Sequence, residues 1–215
     1  MIKNVSDTVR WVAAYRALES ERSDGLFHDP DARVLAGDEG AEIIRSLWGG
    51  KSLAWALAVR TQIIDEMILH AVRNEGVDLV LNLACGLDTR PYRLDLPKEL
   101  KWVEADLPEM IRYKEEKLRT RKPKCHLECV TADLSDGYIR RTLISRVGAE
   151  AHKVLVLTEG LLCYLSEDQV SELARDLHQE KQVALWITDL FSSDRAREVD
   201  FSPPLDGVQA RSLRC

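Results

Sequence analysis

From residue 77 onward the chain repeats one alternation: a short apolar run, a stretch of helical periodicity, then another apolar run. The runs cover 77–83, 100–105, 125–132, 153–158 and 182–189, and the segments around 109–119, 135–147 and 166–179 are amphipathic. Connections of that length let successive strands lie parallel, which a tight hairpin would forbid. The predicted architecture is therefore α/β: a doubly wound, mostly parallel Rossmann-like sheet with helices on both faces. In such a sheet ligands bind beyond the carboxyl ends of the strands, where the strand order reverses. At 215 residues, 45% of them hydrophobic, the chain can fill one core of this kind.

Ahead of the alternation the sequence predicts a helical extension over about 1–76. Ser6 can cap a helix whose apolar positions Val9, Val12, Ala13 and Ala17 recur at helical spacing, and Gly25 ends it before the loop Phe27-His28-Asp29-Pro30. A second helix is expected over 52–74, with Leu53, Leu57, Ile64, Met67, Ile68 and Ala71 on one side and Gly76 as its stop. The expected domain spans 1–192. Beyond it Ser192-Ser193-Asp194, Pro203-Pro204 and Gly207 interrupt any strand or long helix, so 193–215 reads as an irregular tail.

Thirty Lys and Arg stand against 36 Asp and Glu, and a net charge of -6 leaves no basic footprint for nucleic acid. Residues 1–10 are polar, and the longest apolar run, 53–59, is far too short for a bilayer. A soluble cytoplasmic protein without membrane contact is the expectation. The five cysteines are scattered and odd in number, unlike a secreted disulfide framework, so reduced thiols are expected. Strand alternation sends Cys125 and Cys129 to one side and His126 to the other, which argues against zinc there. No Gly-x-Ser-x-Gly elbow supports hydrolase chemistry.

The first strand runs out into Asn82-Leu83-Ala84-Cys85-Gly86-Leu87-Asp88-Thr89-Arg90, where Ala84 and Gly86 let a ligand approach the backbone. Only the middle glycine of a dinucleotide-binding Gly-x-Gly-x-x-Gly turn is present, and Asp88 would repel a pyrophosphate. The second strand ends with Glu104 and Asp106 on one face, about 20 residues past the glycine, where an acid can bind ribose hydroxyls. Residue by residue, Asp106 fits equally a solvated strand end or a cap for the helix after Pro108. The third strand ends at Asp133-Leu134 and the fourth at Glu159-Gly160. Three strands thus deliver Asp106, Asp133 and Glu159 to one sheet edge, where carboxylates suit ribose hydroxyls, an adenine amino group and a cationic ligand. Arg60, within the second helix, reads on pattern alone as a surface arginine snorkelling outward.

Taken in order, Ser6-Asp7-Thr8, Trp11-Val12-Ala13-Ala14, Phe27-His28-Asp29-Pro30, Val59-Arg60-Thr61, the loop from Leu81 to Pro91, Glu104-Ala105-Asp106-Leu107-Pro108 and Glu159-Gly160-Leu161-Leu162-Cys163-Tyr164-Leu165 resemble the leucine carboxyl methyltransferase family of class I methyltransferases, over about 5–190. The likeness is strongest to its bacterial branch, linked to small-molecule or polyketide O-methylation. The resemblance implies S-adenosyl-L-methionine as cofactor and O-methylation of a carboxylate on a small metabolite or a protein terminus. It implies that Arg60 grips the cofactor's methionine carboxylate, that Ala84 and Gly86 line it, and that Asp106 holds ribose. It places Asp133 and Leu134 at the adenine and Glu159 near the methionine amino group. No residue stands out as a catalytic base. Cys85 occupies a position where the family commonly has a small residue, and it is itself small. The chain also ends soon after its fifth strand, so the family's terminal strands are expected to be missing or divergent. A cofactor-binding or interaction module without turnover is the alternative reading, and an unfinished sheet edge could favour a homodimer.

Overall fold

In a computed structural model the described residues are 5–46 and 50–190. The expected tail lies outside them. The amino-terminal part contributes α1 (Val5–Ser20), α2 (Ala32–Ser46) and α3 (Gly50–Asn74). Five strands follow: β1 (Leu79–Leu83), β2 (Lys101–Asp106), β3 (His126–Thr131), β4 (Val154–Thr158) and β5 (Val183–Thr188). Between them run the short α4 (Arg90–Arg93), α5 (Pro108–Leu118), α6 (Gly137–Ala149), a 3-10 turn (Leu162–Tyr164) and α7 (Glu167–Gln179).

All strand pairs are parallel and the order is β3-β2-β1-β4-β5, so the winding reverses beside β1, between β2 and β4. Every residue of β1 and of β4 is buried, as strands covered on both faces require. Alternation sorts the side chains: Leu79, Leu81, Leu83, Val103 and Ala105 pack against Leu143, Ile144 and Val147 of α6 and Leu173 and Leu177 of α7. The opposite face sets Val80, Trp102, Leu155 and Leu157 against Ile64, Ile68 and Ala71 of α3.

The helix stops read from sequence hold: α1 ends at Ser20 ahead of Gly25, and α3 ends at Asn74 with Gly76 at φ +76° behind it. Ser166 forms a capping box with Gln169 ahead of α7, and Asp136 accepts from the backbone N–H of Tyr138 and Ile139 at the start of α6. Three expectations differ. Ser6 lies inside α1 rather than ahead of it. The first strand begins at Leu79, because the Asp78 carboxylate accepts from the backbone N–H of His152 and Lys153 and so sits in the turn below the strand. Helix α2 was not foreseen: it is kinked at Gly37, whose φ is +63°, and that break erases its periodicity. Gly40 lets α2 lie close along α1, since a Cβ there would sit 2.8 Å from the Arg10 carbonyl oxygen. The pair then packs over α5 through Ala13, Ala14, Leu35, Ala36 and Met110. No helix among the described residues is long and apolar enough to cross a membrane.

Candidate functional site

A cavity of about 440 Å³ opens at the carboxyl ends of β1, β2 and β4, at the reversal point of the sheet, with α1 and α3 as its outer wall. All seven residues singled out from sequence line it: Arg60, Ala84, Gly86, Asp106, Asp133, Leu134 and Glu159. Backbone conformation marks the floor. Ala84 at φ +54° and Gly86 at φ +50° both occupy the left-handed region, and a non-glycine residue there is costly enough to be held by surrounding contacts. A Cβ on Gly86 would lie 3.1 Å from Val9 Cγ1, so α1 presses directly on this loop.

Asp106 spans the loop. Its Oδ2 accepts from the Gly86 backbone N–H at 2.7 Å and its Oδ1 from that of Leu107 at 2.7 Å. It does not cap α5, whose N-cap position is Leu107 with no side-chain bond. Burial raises its pKa, against the pull of the two backbone N–H groups. Asp133 is exposed and its Oδ1 accepts from the Ser135 hydroxyl at 2.6 Å. Glu104 shares the strand face of Asp106 but does not line the cavity; it turns under the sheet to meet Lys114 of α5, Nζ to Oε2 at 2.6 Å.

Arg60 is not the surface arginine its helix pattern suggests. Its Nη2 meets Glu159 at 2.8 Å and its Nη1 meets Asp189 at 2.8 Å, while its buried Nε has no partner among the described residues. Asp88, expected to repel a pyrophosphate, is itself neutralised: Arg90 Nη1 donates to its Oδ2 at 2.8 Å and the Asn82 amide donates at 2.9 Å. Deeper still, Asp29 accepts from Arg16 Nε at 2.9 Å and the Thr89 hydroxyl at 2.6 Å, and Asp65 accepts from Arg90 and Arg93. These partners escaped the sequence reading. The quoted motifs held Asp29, Asp88, Thr89 and Arg90, but their pairings join segments up to 69 residues apart.

Around the cavity Arg16, Arg60, Arg90 and Arg93 are outnumbered by Asp29, Asp65, Asp88, Asp106, Glu159 and Asp189, so the site as a whole favours a cation. Burial pushes Asp29, Asp88 and Glu159 upward, but the guanidiniums beside them win and hold all three below their usual values of 3.8, 3.8 and 4.5. A carboxylate with a depressed folded-state pKa adds stability that is complete above its unfolded value and lost as the pH falls through the folded one. The urea midpoint is accordingly expected to fall steeply once the pH drops below about 4. A midpoint unchanged from pH 5 to pH 3 would contradict the pairing.

The model of a family described as leucine carboxyl methyltransferase matches residues 10–178. The chain belongs to that family. A Streptomyces coelicolor protein provisionally named S-adenosyl-L-methionine-dependent methyltransferase is 34% identical over 178 residues, covering 75% of this chain and 60% of the relative. A Parafrankia protein with the same provisional name is 34% identical over 183 residues, covering 80% and 58%. The chain thus spans about three-fifths of the length of these relatives. A solved structure from Thermobifida fusca, provisionally described as a methyltransferase, aligns with TM-score 0.50 at 18% identity over 80% of this chain and 61% of that one, a likeness of fold.

Proposed function

We propose that the cavity binds S-adenosyl-L-methionine and that the chain carries the cofactor-binding part of an O-methyltransferase acting on a carboxylate, of a small metabolite or a protein terminus. The observation that carries this reading is the acid-rich floor around Ala84 and Gly86: it offers a close backbone approach and a surplus of carboxylates, but no glycine-rich cradle for a pyrophosphate. The residues fit the group. Asp106 can share its carboxylate with ribose hydroxyls, Glu159 can face an ammonium, and Arg60, which lines the cavity, offers guanidinium N–H donors for the methionine carboxylate. Asp133 and Leu134 close the adenine end.

When bound, the cofactor supplies a methyl group activated by sulfonium charge. The protein's own task is then alignment and exclusion of water, since in-line displacement requires the acceptor oxygen opposite the leaving sulfur. Trp11, Val12 and Leu57 give the outer wall an apolar surface for this. A carboxylate acceptor is already deprotonated and needs no general base, and no histidine is among the described residues lining the cavity.

Titration calorimetry tests the reading. S-Adenosylhomocysteine is expected to bind the wild-type chain, with Asp106→Ala and Arg60→Ala each weakening it roughly 10- to 100-fold, the worth of a hydrogen bond to a charged group. Unchanged affinity in both variants would reject the cofactor assignment. Binding without turnover on any carboxylate acceptor would favour the non-catalytic module.

A further inference from the structure

Arg90 meets three carboxylates at once. Its side chain is 3% exposed; Nε donates to Asp65 Oδ1 at 2.7 Å, and Nη1 donates to Asp88 Oδ2 at 2.8 Å and to Glu159 Oε2 at 2.7 Å. Asp88 and Glu159 line the cavity, whereas Asp65 lies behind it on α3 and does not. Asp65 is in turn gripped by Arg93, through Nη1 at 2.5 Å and Nη2 at 2.8 Å.

A guanidinium is a rigid planar fork, so fixing its Nε edge fixes the direction in which Nη1 points. Asp65 fixes that edge from outside the cavity. Glu159 is then clamped from two sides, Oε1 by Arg60 at 2.8 Å and Oε2 by Arg90 at 2.7 Å, and its carboxylate plane has no freedom to turn. The same arginine joins the loop after β1 to the loop after β4, the two loops that meet at the reversal point.

We propose that Asp65 and Arg90 are positioning residues for the amino-acid end of the cofactor: Asp65 orients Arg90, and Arg90 holds Glu159 where its carboxylate meets the ligand ammonium. This rests on the cofactor reading given above. A cluster that served only the fold would support every ligand of the cavity equally. A positioning relay acts on one end of the ligand alone.

Two nucleosides separate these cases. S-Adenosylhomocysteine carries the amino-acid end; methylthioadenosine has the same thioether nucleoside without it. Asp65→Asn and Arg90→Lys are each expected to weaken S-adenosylhomocysteine roughly 10- to 100-fold. Methylthioadenosine should stay within about 2-fold, the scatter of sites that do not interact. Glu159→Gln, which changes the ligand-facing acid itself, should show the same selectivity. Equal losses on both nucleosides, or no loss on either, overturn the positioning role while leaving the cofactor reading intact. Asp65→Asn decides the matter if Arg90→Lys does not fold, because it leaves the contact of Arg93 with Asp29 in place. Failure of both variants to fold would assign the cluster to the fold alone and also overturn the role. A wild-type chain that binds neither nucleoside refutes the cofactor reading itself, and the relay with it.

Discussion

Lys114→Met is expected to destabilise the fold by about 3–5 kcal/mol at neutral pH, the cost of removing one partner from a buried ion pair. The Lys114 side chain is 2% exposed, Glu104 is fully buried, and the Oε1 of Glu104 has no partner among the described residues, so beyond the weak Cys129 thiol donor at 4.0 Å from Oε2 the carboxylate relies on Lys114. Burial already pushes Glu104 up to about 7 against the pull of the ammonium. Without Lys114 it must rise further, and the variant escapes part of the penalty by taking up a proton. A carboxyl raised above its unfolded value adds stability that is complete below that unfolded value and lost as the pH rises through the folded one. The deficit of Lys114→Met, read from urea midpoints, should therefore be smaller at pH 5 than at pH 8. Adding Glu104→Gln should recover most of the loss, because a neutral pair of similar volume needs no counter-charge. Equal deficits at the two pH values, or no recovery in the double variant, would show that Glu104 is not the group left stranded. The pair lies beneath the loop after β1, and the thiol of Cys85 is driven up by burial and then by Glu104, so the double variant also tests whether the loop needs that charge to keep its shape.

What could be read in the sequence and what could not divide along one physical line. Strands β1 and β4 were legible because a parallel strand covered on both faces is a continuous apolar run, and α7 because its amphipathic spacing is local to its own segment. Asp106, Asp133 and Glu159 were legible because each lies at or just past a strand end, and the topology alone brings strand ends to one edge. Arg60 was not: inside an apolar helix it has the same local pattern whether it snorkels to solvent or reaches Glu159, and only the resemblance to a family implied a place for it in the site. Asp65 and Arg93 left no trace at all. They act on partners 25 and 28 residues away through side-chain geometry, and no periodicity encodes an ion pair between segments that meet only in the fold. Helix α2 was lost for a related reason, since Gly37 interrupts the very spacing that reveals a helix.

Asp29→Ala should be as damaging as Lys114→Met, about 3–5 kcal/mol, and should reach the cavity as well. The Asp29 side chain is fully buried. Its Oδ2 accepts from Arg16 of α1 and from the Thr89 hydroxyl at the end of the loop after β1, and its Oδ1 accepts from the backbone N–H of Asp31 at 3.2 Å and of Ala32 at 3.1 Å, where α2 begins. One carboxylate therefore joins the first two helices to the loop between β1 and α4. Arg16 extends the joint by donating to the Leu87 carbonyl oxygen at 2.5 Å, one residue past Gly86. Truncation leaves the Arg16 guanidinium buried without its acid and the Thr89 hydroxyl without its acceptor, and each is costly in a region closed to water. Asp29→Asn keeps an oxygen for the backbone N–H groups but turns an amide towards two donors, so it should recover little. Because the contact of Val9 with Gly86 depends on where α1 lies, loosening this joint should also weaken S-adenosylhomocysteine under conditions where the variant is still folded. Chemical denaturation and calorimetry on the same samples separate the two effects. If stability falls while affinity holds, α1 is anchored to the loop by its apolar packing through Val9 and Leu87, and the buried acid serves only the fold.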